Sequence, residues 1–152
     1  MSRLLLFVSV AALLGASVAS ARGPGVNSAT GPEAERAAPV PVFTFGRERG
    51  TILPYEAVIL SNGDVAVTGT VRRIAQVTVS EPTRAALLRL AAAERFFSMP
   101  ALTRCKTPVG GLATNYIRIK RGTTTKSVSD YGGCNRAFVE LFAVLKAVTA
   151  IA

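Results

Sequence analysis

The sequence predicts a single α+β domain, in which an antiparallel sheet of about five or six strands carries two amphipathic helices on one face. Three observations predict it: an Asn62-Gly63 turn between two apolar runs, a strand of alternating polarity at 114–121, and two helix-start signals that precede helical apolar patterns. The expected order of elements is β-β-β-β-α-β-β-α.

Four segments before residue 80 have the composition of strands, and they lie at 42–46, 55–61, 64–70 and 74–79. Asn62-Gly63 separates the second from the third and is typical of a type I′ hairpin turn. That turn pairs Val58 with Val67 and Leu60 with Val65. Apolar residues occur on both faces of the hairpin, so we expect it in the middle of the sheet or covered on both sides.

Both helices begin with a recognisable cap. Ser80 is an N-cap followed by Glu81 and Pro82, and this helix is expected to run to about Glu94. Asn135 caps the second helix. Its apolar residues recur at steps of three and four, at Phe138, Leu141, Phe142, Leu145, Val148 and Ile151.

The strand at 114–121 has the clearest alternation in the chain. Ile117 and Ile119 point to one side, and Tyr116, Arg118 and Lys120 point to the other, as in a half-buried antiparallel strand. A turn at Gly122-Thr123 leads to its partner, 124–130. The positive charges and the aromatic ring predict a ligand-binding stripe that consists of Tyr116, Arg118, Lys120 and Arg121. The alternative is an ordinary solvated sheet face.

The first 21 residues have the features of a cleavable signal peptide. Arg3 precedes an apolar run of about eleven residues, and the small residues Ala19 and Ala21 precede the expected cleavage point. The alternative is a short anchor helix that is not cleaved. Residues 22–41 are rich in Gly, Pro, Ala and Ser and are predicted to be a flexible leader to a folded domain at 42–152. We therefore expect a secreted or periplasmic protein with no transmembrane segment in the mature chain.

Cys105 and Cys134 are the two cysteines of the chain. An even pair in an exported protein usually forms a disulfide, which is the prediction here. The alternative is a reactive thiol pair, which the long spacing disfavours, because redox enzymes commonly use Cys-x-x-Cys.

The residue content restricts the chemistry. The chain contains no histidine, which excludes histidine-dependent catalytic triads and histidine-based zinc sites. With both cysteines oxidised, no metal or cofactor is expected. A hydrolase would have to use carboxylates alone, and a pocket that contained both Glu56 and Asp130 would favour this class. The glycine-rich loops lack the lysine and hydroxyl of a phosphate-binding loop.

The chain is basic, with 18 Lys and Arg against 9 Asp and Glu and a formal net charge of +9. Such a surface attracts polyanions, such as anionic envelope polymers. The alternative is that the charge only keeps the protein soluble. No specific nucleic-acid motif is present.

Residues 45–69 contain Pro54-Tyr55, an apolar strand, Asn62-Gly63-Asp64-Val65 and Thr68-Gly69, and the first predicted helix ends in Arg95-Phe96-Phe97. These features resemble a family of uncharacterised exported bacterial domains with an N-terminal hairpin. The resemblance implies cysteines shortly before the Pro-Tyr pair, which this chain does not have. It implies no activity, because none is established for that family.

The expected function is that of an exported, non-enzymatic binding module that recognises a protein or an anionic envelope polymer through the basic stripe, and we expect a monomer. The alternatives are a secreted inhibitor or structural protein, which would expose an apolar patch, and a hydrolase based on carboxylates.

Overall fold

The computed structural model describes residues 38–48, 52–106 and 113–152. The predicted signal peptide and most of the predicted leader lie outside the described residues. The first strand begins at Pro41, at the end of the predicted leader. Just before it, the Val40 amide donates to Ser61 Oγ at 3.1 Å, and the Val40 carbonyl accepts from the Ser61 amide at 2.8 Å. Within residues 38–48, backbone pairing therefore begins at Val40.

The described elements are the strands β1 (Pro41–Glu48), β2 (Tyr55–Leu60), β3 (Val65–Gly69), β4 (Leu102–Arg104), β5 (Thr114–Arg121) and β6 (Thr124–Tyr131), the helices α1 (Glu81–Ala93) and α2 (Arg136–Val148), and a 3-10 turn (Phe96–Ser98). The strands form one sheet in the order β3-β2-β1-β5-β6-β4. All neighbours are antiparallel except β4 and β6, which are parallel. The predicted α+β domain with six strands and two helices is confirmed.

The predicted order of elements is wrong in one respect. Residues 74–79 form no strand and contribute only an isolated bridge between Thr78 and Asp64. Ile74, the first apolar residue of that segment, is 73% exposed, whereas Val79 at its end is buried in the core. The sixth strand is β4, which follows α1, so the observed order is β-β-β-α-β-β-β-α.

The register of the β2–β3 hairpin also differs from the prediction. Val58 pairs with Ala66 and Ile59 with Val65, one residue away from the expected register. The Leu60 amide donates to the Asp64 carbonyl at 2.9 Å, so the closed loop has three residues, 61–63, rather than two. It ends in Gly63, which has a φ of 92°. This is the geometry of a turn followed by a glycine bulge. The hairpin is also not central, since β3 is an edge strand.

The core lies between one face of the sheet and the two helices. The largest fully buried strand residues all point to this face, and they are Phe43, Phe45, Ile59, Ile117, Ile119 and Val128. They pack against Leu87 of α1 and against Phe138, Leu141 and Leu145 of α2. The predicted caps are present, because Ser80 Oγ accepts from the Thr83 amide and Asn135 Oδ1 from the Phe138 amide. Both helices are therefore on one face, as predicted.

None of the helices in the described part of the chain is both long enough and apolar enough to cross a membrane.

Candidate functional site

The sheet face opposite the helices is called the open face here. Strand β5 presents Tyr116, Arg118 and Lys120 to it, while Ile117 and Ile119 are fully buried on the helix side. This is the division that the alternating pattern of the sequence predicts. The open face is therefore where three of the four predicted binding residues meet.

Gly46 allows a contact across three strands of this face. It lies in the middle strand, β1, and pairs with Glu56 of β2 on one side and with Tyr116 of β5 on the other. Because glycine has no side chain, the Tyr116 phenol can extend across it. The Tyr116 hydroxyl donates a hydrogen bond of 2.7 Å to Glu56 Oε2.

Arg118 adds charge to this contact. Its guanidinium lies 3.6 Å from Glu48 Oε1 and 4.0 Å from Glu56 Oε2, and it stacks over the Tyr116 ring at 4.9 Å from the centroid. Tyr116 is consequently only 4% exposed. Burial, and then the hydrogen bond to Glu56, raise the pKa of Tyr116 well above its usual value. Tyr116 is thus a neutral hydrogen-bond donor that supports Arg118, and its ring is not open for stacking.

Lys120 lies further along β5 and is exposed. Among the described residues it takes part in no ion pair within 4.0 Å. A groove of about 380 Å³ runs beside it, lined by Lys120, Arg118, the hydroxyl-bearing side chains of Thr44, Thr123 and Thr125, and the apolar Pro41 and Val42. The groove therefore combines one cation with no ion pair among the described residues, one partly neutralised cation, three hydroxyls and two apolar side chains.

Arg121, the fourth predicted binding residue, lies elsewhere. It follows the alternation to the helix side, where its guanidinium stands 5.8 Å from the centroid of the Phe97 ring. It also lines a small cavity of about 240 Å³ beside α1, with Leu88 and Arg89. The structure thus separates Arg121 from the other three residues of the predicted stripe.

A second concavity, of about 470 Å³, lies at one end of β1, β2 and β3 and contains Glu48, Glu56 and Tyr116 among its lining residues. The two carboxylates are both in contact with Arg118. In a glycosidase, the space between two catalytic carboxyl groups holds the scissile bond. In this protein the Arg118 guanidinium contacts both carboxylates, Glu48 and Glu56.

The predicted pair Glu56 and Asp130 is not brought together. Glu56 is on β2 and points to the open face, while Asp130 is on β6, with β1 and β5 between the two strands. Asp130 points to the helix side and is 1% exposed. This particular carboxylate pair therefore has no shared pocket.

Cys105 and Cys134 form a disulfide with a Cα–Cα distance of 5.7 Å, as the sequence predicts. Asp130 lies beside it, and a carboxylate oxygen and the two sulfurs lie within 4.8 Å of one another. Burial raises the pKa of the Asp130 carboxyl, and the Asn135 backbone amide opposes this rise only in part. Neither carboxylate oxygen has a hydrogen-bond partner of good geometry in the described part of the chain.

Asp130 should make stability depend on pH. In the unfolded chain this carboxyl ionises near its ordinary pKa, and in the folded protein it ionises at higher pH. The free energy of unfolding that it contributes is therefore full below the pKa of the unfolded chain, and it is lost as pH rises through the pKa of the folded protein. We expect the free energy of unfolding of Asp130→Asn, relative to that of the native protein, to be higher at pH 7 than at pH 3. Urea unfolding at both pH values measures this difference. A difference between the two proteins that does not change with pH would contradict the prediction.

Two residues of the open face carry no local sequence signal. Gly46 looks like the end of a strand, and Glu48 looks like part of a charged turn. Both become informative only when the strand order places β1 between β2 and β5. The sequence indicates Asp130 only as a possible partner of Glu56, and it does not predict the position of Asp130 beside the disulfide.

Comparisons of the chain with protein-family models, with curated proteins and with solved structures found no match. The resemblance to uncharacterised exported domains stays a prediction.

Proposed function

We propose that this protein is a non-enzymatic binding module that works outside the cytoplasm and holds an anionic polymer in the groove beside Lys120. The observation that carries the proposal is the composition of that groove, in which the exposed Lys120 and Arg118 lie among threonine hydroxyls. Charge-assisted hydrogen bonds from cations and additional bonds from hydroxyls are the contacts that phosphate, sulfate and carboxylate groups make.

The open face suits an extended ligand. Both helices pack on the other side, so β1, β5 and β6 present Thr44, Arg118, Lys120, Thr125 and Ser127 together on the open face, with Val42 beside Lys120. Arg118 is held in place by Glu48, Glu56 and Tyr116, so its position does not have to be ordered when a ligand binds. A polymer with repeated negative charges would gain from this fixed array and from the net charge of the chain.

The proposed location rests on two features. The disulfide is typical of proteins from oxidising compartments, and residues 1–21 have the pattern of a signal peptide. A secreted or periplasmic protein in contact with envelope polymers agrees with both.

A protein partner and an inhibitory or structural role are the main alternatives. They would favour a contiguous apolar surface, and the large exposed apolar residues of the described chain are spread over several segments: Val40, Ile52, Leu53, Ile74, Leu102, Val139 and Val144. The groove beside Lys120, with its two cations, is therefore the better-supported binding surface.

Retention on immobilised heparin and on immobilised polyphosphate tests the proposal. We expect Lys120→Glu to weaken binding at least about fivefold and to reduce the slope of log affinity against log salt by about one. The matched control is Arg89→Glu, which changes the net charge equally from an exposed position on α1. Its effect should be clearly smaller.

Equal effects of the two variants would mean that net charge, and not the groove, is responsible, and would overturn the proposal. Capture of one protein from an envelope fraction at high salt, unchanged by Lys120→Glu, would favour the protein-partner alternative. Hydrolysis of a glycan by the purified protein would contradict a purely binding role.

A further inference from the structure

The disulfide and the buried aspartate occupy one corner of the fold. Cys105 directly follows β4, and its amide donates to the Tyr131 carbonyl of β6 at 3.0 Å. Cys134 directly precedes Asn135, the N-cap of α2. Asp130 is the next-to-last residue of β6, so the strand end brings its carboxyl to the disulfide.

The three side chains differ in exposure. Cys134 is exposed, Cys105 is half-buried, and Asp130 is almost completely buried. The neighbouring residues on the adjacent strands are Asn115 and Thr103, and the Thr103 hydroxyl is also without a partner in the described part of the chain. The disulfide therefore has one sulfur that solvent reaches and an unpaired carboxyl behind it.

A disulfide that only stabilises a fold does not need such a neighbour. A buried polar group without a partner costs about 1 to 3 kcal/mol, and an apolar residue at this position would avoid that cost. Unpaired buried groups of this kind occur where their chemistry is used. We propose that Cys105–Cys134 is a reactive disulfide that exchanges with external thiols, and that Asp130 delivers the proton that Cys105 takes up.

The exchange begins at the exposed sulfur. An external thiolate attacks Cys134 Sγ, the bond between the two protein sulfurs breaks, and its electron pair passes to Cys105 Sγ. The backbone amide of Cys134 already donates to that sulfur at 3.0 Å and would stabilise the negative charge. The start of α2 acts in the same direction, because helix N-termini stabilise thiolates.

As that bond breaks, the protonated carboxyl of Asp130 transfers its proton to Cys105 Sγ, directly or through one water, and becomes a carboxylate that regains a proton from solvent. A second external thiol attacks the mixed disulfide and releases Cys134 as the other thiol. Two external thiols are thereby oxidised to one disulfide, and the protein disulfide is reduced to two thiols.

We expect the pH dependence of the exchange to come from the ionisation of Asp130. Among the charged side chains near Asp130, Arg47 of β1 donates to Asn115, Lys126 of β6 donates to the Met99 carbonyl, and Arg136 of α2 donates to Glu140. Arg104 of β4 and Arg118 and Lys120 of β5 lie on the face of the sheet opposite to Asp130. Lys106, which follows Cys105, is exposed. The facing residues Asn115 and Thr103 do not titrate.

The test is the rate of reduction by dithiothreitol between pH 4 and pH 8, divided at each pH by the concentration of the dithiothreitol thiolate. For the native protein we expect this normalised rate to fall about tenfold or more as Asp130 loses its proton. For Asp130→Asn we expect a slow rate that is flat with pH. Glu140→Gln removes a different carboxylate close to the start of α2 and should keep the native profile.

A normalised rate that does not change with pH in the native protein would overturn the proposal without reference to any variant. So would a pH profile of Asp130→Asn equal to the native one, or a faster reduction of that variant. Brief reaction with 2-mercaptoethanol, acid quenching and peptide mass spectrometry locate the first adduct. We expect it on Cys134, and an adduct on Cys105 would overturn the proposed direction of attack.

Discussion

Replacing both cysteines by alanine is expected to lower the free energy of unfolding by about 3 to 4 kcal/mol. Cys105 and Cys134 are separated by 29 residues, and the chain-entropy model assigns this much to a loop of that size. The bond also ties a weakly held strand to a helix that packs in the core. Strand β4 has only three residues and pairs with one neighbour, and the disulfide connects its end to the start of α2.

Urea unfolding followed by circular dichroism measures this loss. The matched control is the native protein unfolded in excess dithiothreitol, which breaks the bond without changing the sequence and should agree with the double variant. A loss below about 1 kcal/mol in both samples would show that the bond constrains the unfolded chain little. That outcome would leave the proposed thiol exchange as the remaining reason for the pair.

The parts of the fold that the sequence predicts correctly depend on local signals. The caps at Ser80 and Asn135 involve residues three positions apart, and the alternation in β5 needs only its own eight residues. Strand β4 had no such signal, because three residues show no period and its parallel partner lies more than twenty positions later. The hairpin register depended on a choice between two-residue and three-residue loops, which Asn-Gly alone does not decide.

In the candidate sites, too, local sequence signals predict some features, and contacts between distant segments determine the others. Tyr116, Arg118 and Lys120 share a face because the period of a strand is two, which a sequence shows directly. The partners of Tyr116 and Arg118 come from β1 and β2, about 60 positions away, and depend on the order of strands in the sheet. The same holds for Arg121, whose position against Phe97 follows from where α1 packs. The sequence identifies the types of these residues, but it does not show which distant strands and helices bring them together.

Gly46→Val is expected to lower the free energy of unfolding by about 3 kcal/mol or more, and Gly46→Ala by about 2 kcal/mol. A Cβ at this position would clash with the backbone carbonyl of Tyr55 on β2, which cannot move without disturbing the β1–β2 pairing. The added side chain would also enter the space across which Tyr116 reaches Glu56. Unfolding in urea measures the loss.

Tyr116→Phe separates these two effects, because it removes the hydroxyl and leaves the backbone of Gly46 unchanged. We expect it to cost about 1 kcal/mol, the usual net value of one hydrogen bond. If Gly46→Ala cost no more than Tyr116→Phe, the close approach of β1 and β2 would not be what requires glycine. If the alanine variant folds with the larger loss and also binds polyanion less tightly, the same glycine supports both the central strand pairing and the position of Arg118 at the groove.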